Sequence, residues 1–244
     1  MASATASRRL RERLARERLI LDTARRMLAE LGYLGLNMDR IAEAIEYSKG
    51  TVYQHFSSKE DLIAALCADT AAARAEMFRK AASYDGTTRE RLMAIGIADA
   101  IFIRRHPDHF AVESILDLSS VIDKITDERR DRWVAIKTAK MDVLTRIVQD
   151  AVDAGDLVLP EGVPLCAPLY GMWAQAVGHS RISSMAPMPH FAGVDMNAVL
   201  WTNYNRMLDG YGWKPLTSDW DYQASAERIS TTVFGEPSPA GSLT

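Results

Sequence analysis

Apolar residues recur along this chain at the spacing of an α-helix and almost never in the alternating pattern of a β-strand. The first apolar stripe contains Ile20, Ala24, Met27, Leu28 and Leu31. Gly32 follows as a C-terminal cap, since glycine readily takes the left-handed conformation that ends a helix. Helices with one apolar face must bury that face against other helices when no sheet is present. The periodicity therefore predicts an all-α protein.

Cap residues and helix breakers divide this pattern into separate helices. Asn37 precedes a short helix, Ser48 begins another at 48–56, and Ser57 and Ser58 precede a long helix that runs from Leu62 toward Tyr84. The remaining predicted helices lie at about 87–105, 108–120, 126–154, 164–182, 195–212 and 218–233.

Composition excludes several classes of protein. The chain has 244 residues, of which 48% are apolar and 25% charged, so it is neither collagen-like nor wholly disordered. No window approaches the roughly 18 consecutive apolar residues of a membrane-spanning helix, and arginines occupy the N-terminus where a secretory signal is apolar. We therefore predict a cytoplasmic protein with no membrane partner. Cys67 and Cys166 lack partners at metal-ligand spacing and are interpreted as packing residues.

Charge is distributed unevenly along the chain. The net charge is −3, but residues 1–60 carry +3 and residues 61–244 carry −6. Six arginines fall within residues 8–18. Such a density on an N-terminal arm suits contacts with phosphates, although arms of this kind are also found merely solvated.

The two short helices of 37–59 have the spacing of a helix-turn-helix, the motif that places its second helix in the major groove of DNA. On the second helix, Val52 and Phe56 point inward. The opposite side carries Gly50, Thr51, Tyr53 and Gln54, with His55 at its margin. This polar, aromatic face lacks acidic residues. It fits a DNA-reading surface, and from spacing alone it fits an ordinary exposed helix equally well.

The sequence SKGTVYQHFSSKEDLIAAL closely resembles the recognition helix and following cap of the TetR family of one-component transcriptional regulators, with its pattern S-K-G-T-[LVI]-Y-x-[HY]-F-x-[SN]-K-x-x-L. The segments RIAEAIEYS and ARRMLAELGYLGLN resemble the family's preceding helices, so the resemblance covers about residues 15–67. It implies a three-helix DNA-binding domain followed by a larger helical domain that binds an effector and dimerises. The expected domains are residues 1–60 (N-terminal arm and helix-turn-helix), 61–235 (ligand binding and dimerisation) and 236–244 (flexible tail).

The resemblance also implies roles for individual residues. Thr51, Tyr53 and His55 match positions that contact phosphates, Lys49, Gly50 and Gln54 match positions that approach bases, and Lys59 matches a lysine that holds the DNA backbone. In the turn, Ile45-Glu46-Tyr47 replaces the common Ala-Gly-Val of the family. Glu46 is therefore expected to adopt a conformation that glycine takes without cost.

Further candidates lie in the predicted C-terminal domain. Side chains that could line an effector cavity are Phe102, His109, Trp133, Met141, Tyr170 and Trp173. The helix at 164–182 has two faces suited to burial and, with the helix at 195–212, predicts a two-fold four-helix bundle. The expected dimer-interface residues are Leu169, Gly171, Gly178, Leu200 and Met207.

No catalytic or metal-binding constellation is evident. His106 and His109 flank a helix-breaking Pro107 without a third ligand, so we predict no metal, no cofactor and no enzyme activity. The favoured interpretation is a ligand-responsive repressor that binds a palindromic DNA operator as a homodimer and is released by a small-molecule effector. Two alternatives remain: a helical enzyme or small-molecule carrier with a helix-turn-helix appendage, and an effector-independent structural DNA-binding protein.

Overall fold

A computed structural model of the chain describes residues 2–106, 113, 122–183, 185 and 189–241. Its helices are α1 (Ala2–Gly35), α2 (Met38–Ala44), α3 (Lys49–His55), α4 (Lys59–Ala82), α5 (Thr88–Arg105), α6 (Asp127–Asp153), α7 (Ala167–Ser183), α8 (Met196–Gly210) and α9 (Tyr222–Ile229). A short 3₁₀ turn occupies Pro189–Phe191, and α9 continues as a π-helix over Ser230–Phe234. No strand occurs in these residues, which confirms the predicted all-α fold.

Most helices begin and end within a few residues of the predicted positions, because cap residues define these ends. The last helix begins at Tyr222 instead of 218, since the Asp221 carboxylate accepts a hydrogen bond of 2.9 Å from the backbone N–H of Ala224. The predicted helix at 108–120 lies outside the described residues except for residue 113. The basic N-terminal stretch belongs to α1 and is helical, where the sequence had suggested a separate arm.

Gly32 interrupts α1 near the predicted end of that helix, but as a kink and not as its cap, since α1 continues to Gly35. Its φ of 66° with a ψ of −178° is a backbone conformation open essentially only to glycine, and its carbonyl accepts a hydrogen bond of 3.2 Å from the backbone N–H of Leu36. Since a β-carbon would be strained in this conformation, glycine permits the chain to turn here toward α2.

The chain divides into two compact units. The first comprises Met1–Ala73 and Arg105–Lys137, and the second comprises Arg74–Arg104 and Thr138–Thr244. The first unit thus contains all of the predicted DNA-binding domain together with the beginnings of α4 and α6.

The core of the first unit joins α1, α2, α3, the beginning of α4 and the beginning of α6. Its largest buried side chains include Ile20, Ile41, Val52, Phe56, Leu62, Ile63 and Trp133. Val52 and Phe56 are fully buried, as the helical periodicity of α3 predicts. Their burial fixes which side of α3 remains available to solvent.

The second unit has its own core, built from the end of α4, α5, the later part of α6, and α7 to α9. It includes Leu92, Ile97, Ile101, Ile147, Val148, Leu169, Trp201, Leu208, Trp213 and Tyr222. Within it, the buried guanidinium of Arg89 pairs with Asp209 at 2.7 Å and donates hydrogen bonds to the carbonyls of Asn205, Trp213 and Pro215. These partners compensate the charge for its loss of water and hold the segment after α8 in place.

Part of the predicted flexible tail packs against the second unit. Glu236 forms an ion pair with Arg104, Ala240 is buried, and the Gly241 carbonyl accepts a hydrogen bond of 3.1 Å from the Gln223 amide. Of the helices that the structure describes, none is both long enough and apolar enough to cross a membrane.

Candidate nucleic-acid interface

The helix-turn-helix is built from two short capped helices. The Asn37 side chain accepts a hydrogen bond of 2.8 Å from the Asp39 N–H at the start of α2. At the start of α3, the Ser48 hydroxyl accepts one of 3.1 Å from the Thr51 N–H. Each cap satisfies a backbone donor that has no partner within its helix, so both helices begin at a defined residue.

The turn between α2 and α3 depends on Glu46, which has a φ of 57°. It is the one non-glycine residue with a positive φ among those the structure describes. The neighbouring backbone is held by hydrogen bonds from the Glu46 N–H to the Glu43 carbonyl (3.1 Å) and from the Tyr47 N–H to the Ala42 carbonyl (3.0 Å). The expected turn conformation is therefore confirmed, at a steric cost of about 1 kcal/mol.

The outward face of α3 is polar and open. Lys49, Gly50, Tyr53 and Gln54 are all exposed, and the Tyr53 side chain is 49% accessible. A β-carbon placed on Gly50 would meet only the Ser48 hydroxyl, at an ordinary 3.8 Å. Within the part of the chain that the structure describes, packing does not require glycine there, and the missing side chain leaves open space on this face.

Lys49 has a partner within the helix-turn-helix. Its Nζ lies 2.5 Å from Asp39 Oδ2, and this hydrogen-bonded ion pair raises the pKa of Lys49. Both groups remain accessible to solvent, so the pair is screened and contributes little to stability. The ammonium can exchange this carboxylate for another anion.

Three other predicted contact residues are more enclosed. Thr51 Oγ1 lies 2.8 Å from Ser48 Oγ in the cap of α3. The His55 side chain is only 6% exposed, and its Nδ1 lies 4.0 Å from Glu17 Oε2 of α1. Burial lowers the pKa of this imidazole. Lys59 Nζ donates a hydrogen bond of 2.5 Å to the Tyr33 carbonyl, and burial lowers its pKa also.

Sequence reasoning missed the support behind α3, which centres on Asp61. This carboxylate is 2% exposed and accepts hydrogen bonds from the Ser57 N–H at 3.1 Å and the Thr126 hydroxyl at 3.0 Å. The guanidinium Nε of Arg129 lies 3.1 Å from it. The Ser58 and Asp61 cap signature pointed to the start of α4, but no sequence signal linked it to residues 126–129.

Arg129 extends this support to the end of the recognition helix. Its guanidinium lies 4.8 Å from the centre of the Phe56 ring and donates a hydrogen bond of 3.4 Å to the His55 carbonyl. It also lies 3.8 Å from the Glu17 carboxylate. A cation at the carboxyl end of a helix is favoured by the helix dipole, and here it connects α1, α3, α4 and α6.

The proposed effector residues do not come together. Phe102 is buried in the second unit, whereas Trp133 is buried in the core of the first. Met141, Tyr170 and Trp173 are exposed, and His109 lies outside the described residues. The second unit has a cavity of about 100 Å³ with none of these six in its lining, which consists of Met93, Ala198, Trp201, Thr202, Asn205, Tyr222, Gln223, Ala226, Ala240 and Gly241.

The predicted interface residues lie on α7 and α8, and most of them pack within their own chain. Leu169 is buried within its own unit, and a β-carbon on Gly171 would lie 2.5 Å from Met207 Sδ of the same chain. Leu200 is only partly exposed and packs against the same core, whereas Gly178 has open space beside it. The other side of α7 exposes Tyr170, Trp173 and Val177, which we call the apolar face of α7.

Candidate metal ligands do not cluster in the described part of the chain, where no group of three or more His, Cys, Asp or Glu side chains could hold an ion. Cys67 is buried and Cys166 is exposed, and neither forms a disulfide.

Comparison with known proteins places the helix-turn-helix in a family. Residues 20–66 match the family model described as bacterial regulatory proteins, tetR family. The chain is 44% identical over 62 residues to the HTH-type transcriptional repressor AcnR of Corynebacterium diphtheriae, which is 25% of this chain and 33% of that repressor. The chain thus spans about a third of the length of the curated relatives it matches.

Solved structures resemble the chain over a larger part of its length. A TetR/AcrR family regulator from Thermobifida fusca has a TM-score of 0.60 and 21% identity, with 81% of this chain and 98% of that chain covered. FadR of Bacillus subtilis, solved with stearoyl-CoA, has a TM-score of 0.59 and 19% identity, with 79% and 97% covered. At sequence identities of 21% and 19%, these similarities show a shared fold only.

The matched residues 20–66 comprise the later part of α1, all of α2 and α3, and the beginning of α4, the same elements that form the capped helices, the turn and the open face of α3. The family that this model describes consists of bacterial regulatory proteins. Residues 20–66 therefore carry the helix-turn-helix domain of the tetR family of bacterial regulatory proteins.

Proposed function

We propose that the protein is a transcriptional repressor that binds double-stranded DNA as a homodimer and is released by a small-molecule effector. The observation that carries this proposal is the outward face of α3, where exposed Lys49, Gly50, Tyr53 and Gln54 occur without an acidic residue on the helix. An α-helix fits the major groove of B-DNA, so a helix with this face can reach both phosphates and base edges.

The exposed groups of α3 have distinct chemical uses. The Gln54 amide offers a donor and an acceptor together, which match the N7 and N6 groups of adenine. The Tyr53 hydroxyl can donate to a phosphate oxygen, a contact that positions the protein without selecting a base. Gly50 leaves room for the sugar-phosphate backbone or a base edge to come close. Thr51, His55 and Lys59 remain predicted backbone contacts at the edges of this face.

Dimerisation is supported by the apolar face of α7. Tyr170, Trp173 and Val177 lie at positions i, i+3 and i+7 of one helix and are exposed in the single chain. Covering such side chains with a second copy would remove apolar surface from water, the main favourable contribution to association. A two-fold dimer then requires a roughly palindromic operator with half-sites about one helical turn apart.

Effector binding is assigned to the predicted domain at 61–235. Support comes from the likeness in fold to FadR, whose structure contains stearoyl-CoA. The cavity of about 100 Å³ in the second unit is smaller than the roughly 300–1,000 Å³ of ordinary ligand pockets. We therefore expect an effector to enlarge a site in this domain when it binds, as ligands do when they select a minor conformation.

Selection of bound sequences from a random DNA pool tests DNA recognition, and two variants of α3 refine the test. Gln54→Ala should lose about 1–3 kcal/mol against the preferred base at one position per half-site and little against other bases. Tyr53→Phe, which removes one exposed hydroxyl, should weaken all sequences by a similar factor. If the protein binds DNA but the pool yields no preferred sequence, the proposal of a repressor is wrong and the protein is better described as a structural DNA-binding protein.

Effector coupling requires a second measurement. Once a screen for release from the selected operator has found a ligand, its affinity is measured with and without operator DNA. The two affinities should differ by about 5- to 150-fold, the same factor by which the ligand weakens DNA binding. Equal affinities would remove the allosteric part of the proposal and leave a carrier or enzyme function for the predicted C-terminal domain.

A further inference from the structure

The N-terminal part of α1 is the most basic surface of the first unit. Residues 8–18 hold six arginines against two glutamates, and all six arginines are exposed. Because the segment is helical, these side chains project at fixed angles from one axis. Their placement around α1 can therefore be compared with the position of α3.

The arginines are not spread evenly around the helix. At about 100° per residue, Arg9, Arg13 and Arg16 fall within about 60° of one another, beside Glu17. Arg8 and Arg11 fall on the other side of the helix. We call the first group, Arg9, Arg13 and Arg16, the arginine stripe.

Contacts of Glu17 locate the stripe relative to the recognition helix. Glu17 Oε2 lies 4.0 Å from His55 Nδ1 in the last turn of α3, and Glu17 Oε1 lies 3.8 Å from Arg129, which holds the end of α3. The pKa of His55 is lowered mainly by burial and further by the positive charges of Arg13 and Arg16, whereas Glu17 raises it. The stripe is thus close enough to act on the end of α3.

Most of the charge in the stripe has no acidic partner. Among the residues that the structure describes, Arg9 and Arg13 form no ion pair, and Arg16 has only Glu12 at 3.9 Å. On the other side, Arg8 is paired with Glu12 at 2.8 Å, and Arg11 is hydrogen-bonded to Ser7 at 3.5 Å. An arginine without an acidic partner can pair with an external polyanion without first giving up a carboxylate of its own protein.

We infer that the arginine stripe of α1 is a second DNA-contact surface, which binds backbone phosphates beside the groove that α3 enters. This inference rests on the proposed DNA binding of α3 and adds a sequence-independent contribution to it. Arginine and phosphate form charge-assisted, often bidentate hydrogen bonds. Each phosphate neutralised releases counterions, so the stripe should appear in the salt dependence of binding and not in base preference.

The test compares two double variants of equal charge in the full chain. Arg9→Ala with Arg13→Ala removes two charges from the stripe, and Arg8→Ala with Arg11→Ala removes two from the other side. Binding to the selected operator, with about ten flanking base pairs at each end, is measured from low to high salt. Circular dichroism and thermal melting verify that both variants are folded.

The stripe variant should flatten the plot of log affinity against log salt by about 0.9 unit per phosphate contact, or nearly two units per subunit. Its ranking of operator sequences should stay that of the wild type, and the control should keep the wild-type slope. Equal slopes for both variants and the wild type, or equal flattening in both variants, would overturn the inference while leaving recognition by α3 intact. A wild-type chain that binds no DNA would overturn both.

Discussion

Two helices leave one face uncovered, and the chemistry of the two faces is opposite. Helix α3 exposes Lys49, Tyr53 and Gln54, whereas α7 exposes Tyr170, Trp173 and Val177. Each helix buries its other side in the core of its own unit. The two faces therefore indicate two kinds of partner.

The two surfaces differ in how the release of water and counterions contributes to binding. Groups on α3 can exchange hydrogen bonds and counterions for those of DNA, so binding there depends on salt and base sequence. The face of α7 offers few polar groups, so its association depends on removing apolar area from water and responds weakly to salt. Substitutions on the two helices should produce effects that can be told apart.

The largest expected effect is on the apolar face of α7. Trp173→Asp places a charge where a second subunit would cover it, so the dimer should dissociate and operator affinity should fall by about 10²- to 10⁴-fold through loss of bivalent binding. Mass by light scattering and operator binding measure this. Val158→Asp is the control, because Val158 is also exposed and apolar but lies outside α7. A dimer that survives Trp173→Asp would place the interface on another surface.

The next effect concerns Asp61, the buried carboxylate of α4 that supports α3 from behind. Asp61→Ala leaves Arg129 and the donors of Ser57 and Thr126 without their acceptor, and should lower the free energy of unfolding by about 3 kcal/mol. Urea unfolding measures the loss. Asp61→Asn keeps one of the two acceptor oxygens and the shape of the side chain but not its charge, and should cost less. If Asp61→Asn is as stable as the wild type, the ion pair with Arg129 is not what supports α3.

A smaller effect in the opposite direction is expected in the turn before α3. Glu46→Gly removes the steric cost of φ 57° and should stabilise the chain by about 0.5–1 kcal/mol, reduced by the greater freedom of glycine in the unfolded state. Thermal unfolding checks the sign. Glu43→Gly, within α2, should destabilise by a similar amount. Destabilisation by Glu46→Gly would show that its side chain contributes more than the turn costs.

The smallest expected effect is the pH dependence due to His55. Burial lowers the pKa of His55 in the folded state below its unfolded value, so the unfolded chain binds more protons in the interval between them. Stability from this residue is complete above the unfolded pKa of about 6.5 and is lost as the pH falls toward the folded pKa. His55→Gln should therefore flatten the fall in melting temperature between pH 7.5 and 5.5. An unchanged fall would mean that the imidazole is solvated in both states.

Much of the first unit could be predicted from local sequence. Asn37 and Ser48 cap α2 and α3 as expected, Glu46 adopts the positive φ that the turn requires, and Val52 and Phe56 are buried. These features depend on residues within a few positions of one another, where cap geometry and the 3.6-residue period decide the structure.

The sequence by itself determined which face of α3 is open and which residues it presents. Only the tertiary structure decided which residues support that face from behind and which of the candidate site residues come into contact. Asp61 and Arg129 form an ion pair although they are 68 residues apart in the sequence. Trp133, which was expected in an effector site, packs in the core of the first unit. His55 is covered by α1. The physical reason is that helical periodicity indicates that a face is buried but not against which helix, since that partner is fixed by packing between elements distant in sequence.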